Sequence, residues 1–221
     1  MSTELTLAIE SATVRGSVAV LRGLEVVATR EVLMRADDEE RLMPAVAACC
    51  DEAGVTPREL SRIVCGEGPG SFTSLRIAAS IAKGIAVAAG CPLFAVSSLL
   101  LTVAAVSPAL PGGRYLSVLD AQRGDLFGLQ VELGGGHVSA VGELEIFPAA
   151  ELDDRAARAG ARVAGPGQEV SSWPQASGLG VLLPAVVHAG PVELVGWEPV
   201  YGRAPEAQVR WEKAHGRSLS A

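Results

Sequence analysis

Patterns that hold metals are missing from this 221-residue chain. Its three histidines, His137, His188 and His215, stand far apart, with no HxxxH or HExxH pairing to suggest a zinc or other histidine-held centre. Cysteine is sparse as well. Cys49, Cys50, Cys65 and Cys91 sit in apolar surroundings, two of them adjacent, and read as buried thiols rather than a disulfide framework or a thiolate cluster. No uninterrupted run of roughly 18 apolar residues is present. Glu4 and Glu10 stand where a secretion signal would have a basic start and a greasy core. The expectation is a globular, cytoplasmic protein that makes no membrane contact. Positive charge is also in short supply: the net charge is −7, and an acidic body disfavours nucleic-acid binding by the whole surface. The exception is the end of the chain, where Arg203, Arg210, Lys213 and Arg217 surround Trp211.

What is present is apolar material, 49% of the residues, enough to bury the core of one large domain or two small ones. Residues 1–105 read as three strands, a helix, a strand, a helix, a strand and a helix, with short turns between them. After the Pro/Gly-rich break "SPALPGGR" the order begins again in reduced form over residues 106–200, and a basic tail, 201–221, follows. The segments "LAIESATVRGSVAV" and "LSVLDAQRGDLFGL" each end a buried strand in an acid, Glu10 or Asp120, then turn through Arg-Gly into the next strand. We read this as duplication. Two βββαβ-type subdomains facing a shared cleft define an α/β, actin-like (ASKHA/hexokinase-like) fold, with the second subdomain reduced.

Two helices carry more apolar surface than one sheet requires. In the segment after "DDEER", Leu42, Val46, Cys49 and Ala53 line one row, and Met43, Ala47 and Cys50 line a second, spanning roughly 160° where a sheet contact needs ~100°. In the helix from Leu75 to Ala89, Arg76, Ser80 and Lys83 share one polar arc. Ile77, Ile81, Ile85 and Ala88 form a branched face suited to a sheet, and Leu75, Ala78, Ala79, Ala82, Ala86 and Ala89 form a small-residue face suited to close helix packing. These rows either cover each other or offer a joint surface to a partner protein.

The loop "GEGPGSFTS" between a buried strand and that helix permits a phosphate at the helix N-terminus, with Ser71 or Thr73 as N-cap. It lacks the lysine of a P-loop and the spacing of a dinucleotide fingerprint, and it carries Glu67. Gly66, Gly68 and Gly70 read chiefly as turn and packing residues. A vestigial nucleotide or phosphate site would draw on Glu10, Gly68, Gly70, Ser71, Thr73 and Asp120. An autonomous ATPase or small-molecule kinase would use Glu10 and Asp120 as paired cleft acids around a metal ion.

"GEGPGSFTSLRIAASIAKGIA" resembles the signature of the bacterial TsaB (YeaZ) family, GxGPGSFTGLRIG followed by an alanine-rich helix. "LAIESAT", "RLMP", "PLFAVSSLLLTV", "VLDAQRGDLF" and "EPVYGRAPEAQVRWEK" are similar to further family segments. The resemblance implies a duplicated actin-like fold with a truncated second half. It implies a non-catalytic subunit, despite the peptidase label of the superfamily, that pairs with a TsaD-type catalytic subunit and a TsaE-type ATPase to threonylcarbamoylate adenosine in tRNA. No cofactor would be required by this chain alone, ATP or ADP would sit at the complex interface, and tRNA would be met through the complex. The interface implied comprises Leu42, Met43, Val46, Ala47, Cys50, Leu75, Ala78, Ala79, Ala82 and Ala86, shared with a homodimer when the partner is absent; a purely structural homodimer is the rival use. The chain departs from the family pattern at Glu10, usually Asp, at Ser74 and Ala78, usually glycines, and at Asp38, often His. Ser74 and Ala78 would lengthen the helix–helix distance. Nothing is carried over to residues 149–190.

Overall fold

A computed structural model describes residues 4–34, 40–203, 211 and 215. Asp38 and the tail cations Arg210, Lys213 and Arg217 lie outside the described residues. The first lobe contains β1 (Leu5–Glu10), β2 (Arg15–Arg22), β3 (Glu25–Leu33), α1 (Leu42–Ala53), β4 (Arg62–Gly66), α2 (Phe72–Ala89) and β5 (Leu93–Val96). Its sheet order is β3-β2-β1-β4-β5, antiparallel among the first three strands and parallel from β1 to β5. All six residues of β1 are buried, since the central strand is covered on both faces.

The second lobe follows α3 (Ser98–Ala104). It contains β6 (Gly113–Asp120), β7 (Asp125–Gly134), β8 (His137–Ala140), β9 (Glu145–Pro148), α4 (Leu152–Ala159), β10 (Arg162–Gly165), β11 (Val170–Ser171) and α5 (Leu179–Ala189). Its order, β11-β10-β6-β7-β8, repeats the first with the same parallel and antiparallel pairings. The duplication read from two acid–turn–glycine segments is therefore visible strand by strand. "HVSAVGELEIFP", read as one strand, divides into β8 and β9, which pair with different stretches of β7. The divergent 149–190 region supplies α4, β10, β11 and α5.

Three apolar clusters set the layers. One joins the inner faces of both sheets through α3 and α5, with Leu21, Val64 and Phe94 from one lobe and Tyr115, Phe127 and Val131 from the other. A second lies on the outer face of the first sheet under α1 and α2, and a third, smaller one lies on the second sheet under α4. Phe72–Ala89 is long and apolar enough to cross a membrane by length and composition, but its buried side is part of the second cluster, as in the core helix of a globular lobe.

Candidate functional site

The ends of α1 and α2 are fixed locally. Glu40 caps α1, its carboxylate accepting from the Leu42 N–H at 2.5 Å and the Met43 N–H at 3.1 Å, and Gly54 closes the helix at φ 63°. Ser71 caps α2 by accepting from the Ser74 N–H, at 3.5 Å. Neither Ser97 nor Ser98 caps α3 with its side chain; Ser98 is turned inward toward Glu10 instead.

The faces of these helices correct the surface expected from the wheel. Leu42, Val46, Cys50, Leu75, Ala78, Ala79, Ala82 and Ala86 are all buried within the chain itself; of the ten expected interface residues, Met43 and Ala47 alone are exposed. The alanine row of α2 faces the sheet because small side chains let the helix axis approach strands already carrying Ile63 and Leu93. Ser74 and Ala78 accordingly adjust internal packing, where Ser11 Oγ donates to the Ser74 carbonyl at 2.8 Å, rather than any partner distance. What faces outward is the other side: Ile77 and Ile81 half-buried, Gly84 in open space, Val87 70% exposed and Ala88 exposed. A hollow of about 470 Å³ lies along it, lined by Glu40, Ile77, Ser80 and Ile81 among others.

The glycine loop packs on the first hairpin. A side chain at Gly70 would collide with the Ala12 carbonyl, which accepts the Ser71 N–H at 2.7 Å, and one at Gly66 would collide with the Glu10 carboxylate. Glu10 is fully buried. It accepts from the Ala12 N–H at 2.5 Å and the Ser98 hydroxyl at 2.8 Å, and Ser98 Oγ in turn accepts from the Gly68 N–H at 3.1 Å. Burial pushes the Glu10 carboxyl up to about 7, partly offset by the Ala12, Ser98 and Ser11 hydrogen bonds. The carboxyl thus ties the first hairpin, the glycine loop and the start of α3 together.

Between the lobes lies a cleft of about 980 Å³. Gly70, Ser71, Thr73 and Asp120 line it, together with Phe72, Arg123, Trp173, Tyr201 and Arg203; Glu10 and Gly68 do not. Asp120 accepts from its own turn, from the Gln122 N–H at 2.7 Å and the Gln122 side-chain amide at 3.0 Å. Two acids facing each other around a metal-bound triphosphate are therefore not what this cleft presents: one is buried beneath the loop and the other holds its own hairpin. Among the described residues no group of three or more His, Cys, Asp and Glu could hold a metal ion. All four thiols are buried, and burial raises each of them, Cys49 to about 11. Neither His137 nor His188 lines the cleft beside Ser71.

Missed in the sequence was the role of the segment where the second subdomain's range runs into the start of the basic tail. Trp197 to Arg203 runs along α2 and engages the two cations of its polar arc: Lys83 Nζ donates to the Trp197 carbonyl at 2.6 Å and Arg76 Nε to Tyr201 Oη at 3.1 Å. The available signal was Tyr201, an aromatic with a polar tip that seeks a partner.

Two five-stranded paths of identical order, back to back over α3 and α5 and with a cleft between their first hairpins, define a duplicated actin-like α/β protein with a reduced second lobe. A family model described as TsaD: tRNA N6-adenosine threonylcarbamoyltransferase matches residues 34–180. The chain is 34% identical over 126 residues to the tRNA threonylcarbamoyladenosine biosynthesis protein TsaB of Bacillus subtilis, covering 55% of this chain and 52% of that protein. It is 30% identical over 219 residues to the uncharacterized protein Rv3421c of Mycobacterium tuberculosis, covering 91% and 93%. YeaZ from Pseudomonas aeruginosa superposes with a TM-score of 0.74 at 25% identity, covering 90% of this chain and 99% of that one. The chain belongs to the TsaB (YeaZ) family. It spans about half the length of the TsaB relatives it matches.

Proposed function

We propose that this chain is a non-catalytic partner subunit in the threonylcarbamoylation of adenosine in tRNA. It docks a TsaD-type catalytic subunit and works in the cytoplasm with a TsaE-type ATPase. The observation that carries the reading is the outward stripe of Met43, Ala47, Ile77, Ile81, Gly84, Val87 and Ala88 on two helices of one lobe. Exposed and half-buried apolar side chains on the outer faces of two helices suit a helix pair of similar kind. The buried Glu10, the self-engaged Asp120 and the protonated thiols support a subunit that does no chemistry itself. Nucleotide, where it takes part, belongs at the junction with the partner, and tRNA is met through the complex.

Reconstitution tests this reading. Modified adenosine should accumulate when TsaD-type and TsaE-type subunits and tRNA are supplied with this chain, and should fall to background without it. The chain alone should show no ATP turnover. Val87→Arg, at the 70% exposed position of the outward stripe, should weaken the heterodimer at least roughly tenfold, the scale of an interface contact replaced by a charge, while leaving the melting temperature near that of the parent. The same face serves self-association, so the partner should convert any homodimer into heterodimer in light scattering. A complex undisturbed by Val87→Arg would remove the stripe from the interface.

A further inference from the structure

The segment Trp197–Arg203 touches both lobes, and its chemistry differs on the two sides. On the first lobe it is held by several contacts. The Val200 N–H donates to the Glu67 carbonyl at 2.7 Å, and the Tyr201 ring lies 4.5 Å from that of Phe72. The Arg76 guanidinium covers Phe72 at 3.9 Å and Tyr201 at 5.5 Å. Gly68 admits the segment at its first crossing, where a Cβ would meet the Val200 carbonyl at 2.5 Å. On the second lobe the hold is simpler. Gly202, at φ 71°, passes over Phe127, with no room for a side chain, and the Arg203 guanidinium pairs with the Asp125 carboxylate at the start of β7. Those two side chains are 28% and 30% exposed. Tyr201 and Arg203 both line the cleft, and Phe72 and Thr73 belong both to the cleft and to the hollow along the outward face of α2.

We propose that Trp197–Arg203 is a clasp across the mouth of the interlobe cleft, anchored on α2 and latched to the second lobe by the Arg203–Asp125 pair. The latch is the weak end. A single ion pair that keeps about 30% of its side-chain surface in water contributes modestly to global stability, whereas the aromatic and cation–π contacts around Arg76 hold the other end with several groups. Release of the latch therefore leaves both lobes folded, frees the β6–β7 turn, and loosens the first turn of α2 through Tyr201, Phe72 and Arg76. The clasp thus couples the width of the cleft to the helix that carries the outward stripe. This inference does not depend on what docks there.

Hydrogen exchange on the isolated full chain tests it, with Arg203→Ala, Asp125→Ala and the reversed pair Arg203→Asp/Asp125→Arg. In either single variant, amides of residues 120–127 and of the first turn of α2 should exchange about tenfold faster, the scale of a local opening. Amides of β1, β4 and β6 should be unchanged, and the reversed pair should restore slow exchange. Tyr201→Phe removes only the acceptor of Arg76 and should loosen the first turn of α2 without affecting residues 120–127. Acceleration confined to residues 197–203, acceleration spread evenly through both sheets, or a reversed pair as loose as the singles would each overturn the clasp.

Discussion

The two lobes share a strand order but not a surface. In the first, β4 ends at Gly66 and the loop beyond it launches the 18-residue α2, which is apolar on nearly every side. In the second, β10 ends at the equivalent Gly165, and Pro166 and Gly167 lead only to the two-residue β11. The outer helix left to that sheet is α4, eight residues long, with Asp153, Asp154 and Arg158 outward, Arg155 laid over the Phe147 ring and Ala156 alone buried. A short helix with one buried residue is finished when it covers a sheet. A long apolar one is not. The reduction of the second lobe thus confines the long apolar outer helix to the first, while its remaining hairpin keeps the cleft.

The loops after β4 and β10 give the sharpest way to break the comparison. Gly70→Val sets a branched side chain against the Ala12 carbonyl, which is backbone and cannot yield. We expect a loss of about 3 kcal/mol, the upper end of overpacked core sites, seen as an early thermal or urea transition. Gly167→Ala meets open space at φ 71° and should cost only about 1 kcal/mol of backbone strain. Equal losses at the two sites would mean that the loops are not differently packed.

Next is the pair of acids that end β1 and β6. Glu10 has its folded pKa raised, so the folded state binds more protons than the unfolded one between pH ~4.5 and ~7. The contribution is complete below the ordinary carboxylate range and is lost as pH rises through about 7. Stability should therefore fall by about 3 kcal/mol over that window, at 1.36 kcal/mol per pKa unit. Glu10→Gln, which keeps an acceptor for the Ala12 N–H and a group that meets Ser98, should flatten this slope in urea titrations across pH 4.5–7.5. A slope that survives in Glu10→Gln would assign the dependence to another group, with Glu67, also raised by burial, the first to examine.

The strand order was legible because hairpin chemistry and period-two runs are local, and so were the ends of the two long helices, where Gly54 and Ser71 act as read. The roles of the α2 faces were not. A helical wheel gives angles between residues, but the isoleucine and alanine rows are both apolar, and only the approach of α2 to the sheet decides that the alanine row goes inside together with Ile85 while Ile77 and Ile81 stay half-buried. Nor does the polar arc show its partner in sequence: Arg76 and Lys83 hold a segment more than a hundred residues later. The rival kinase reading sets Glu10 in the cleft because it aligns with Asp120. The burial of Glu10 follows from Gly66, whose missing side chain makes room for the carboxylate directly beneath the loop.

Asp120 itself supplies the smallest expected effect, and the contrast with Glu10 rests on it. Its carboxylate is exposed and caps a turn in which Gln122 and Arg123 both adopt positive φ, 66° and 62°, an uncommon conformation for residues with side chains. Asp120→Ala removes the acceptor of the Gln122 N–H, and that amide can turn to water in its place. The loss should be about 0.5–1 kcal/mol, the net worth of one exposed side chain to backbone bond, with no change in the pH slope set by Glu10. If Asp120→Ala instead cost as much as a buried group, the hairpin of the second lobe would be carrying the junction that Glu10 carries in the first, and the asymmetry between the lobes would have to be placed elsewhere.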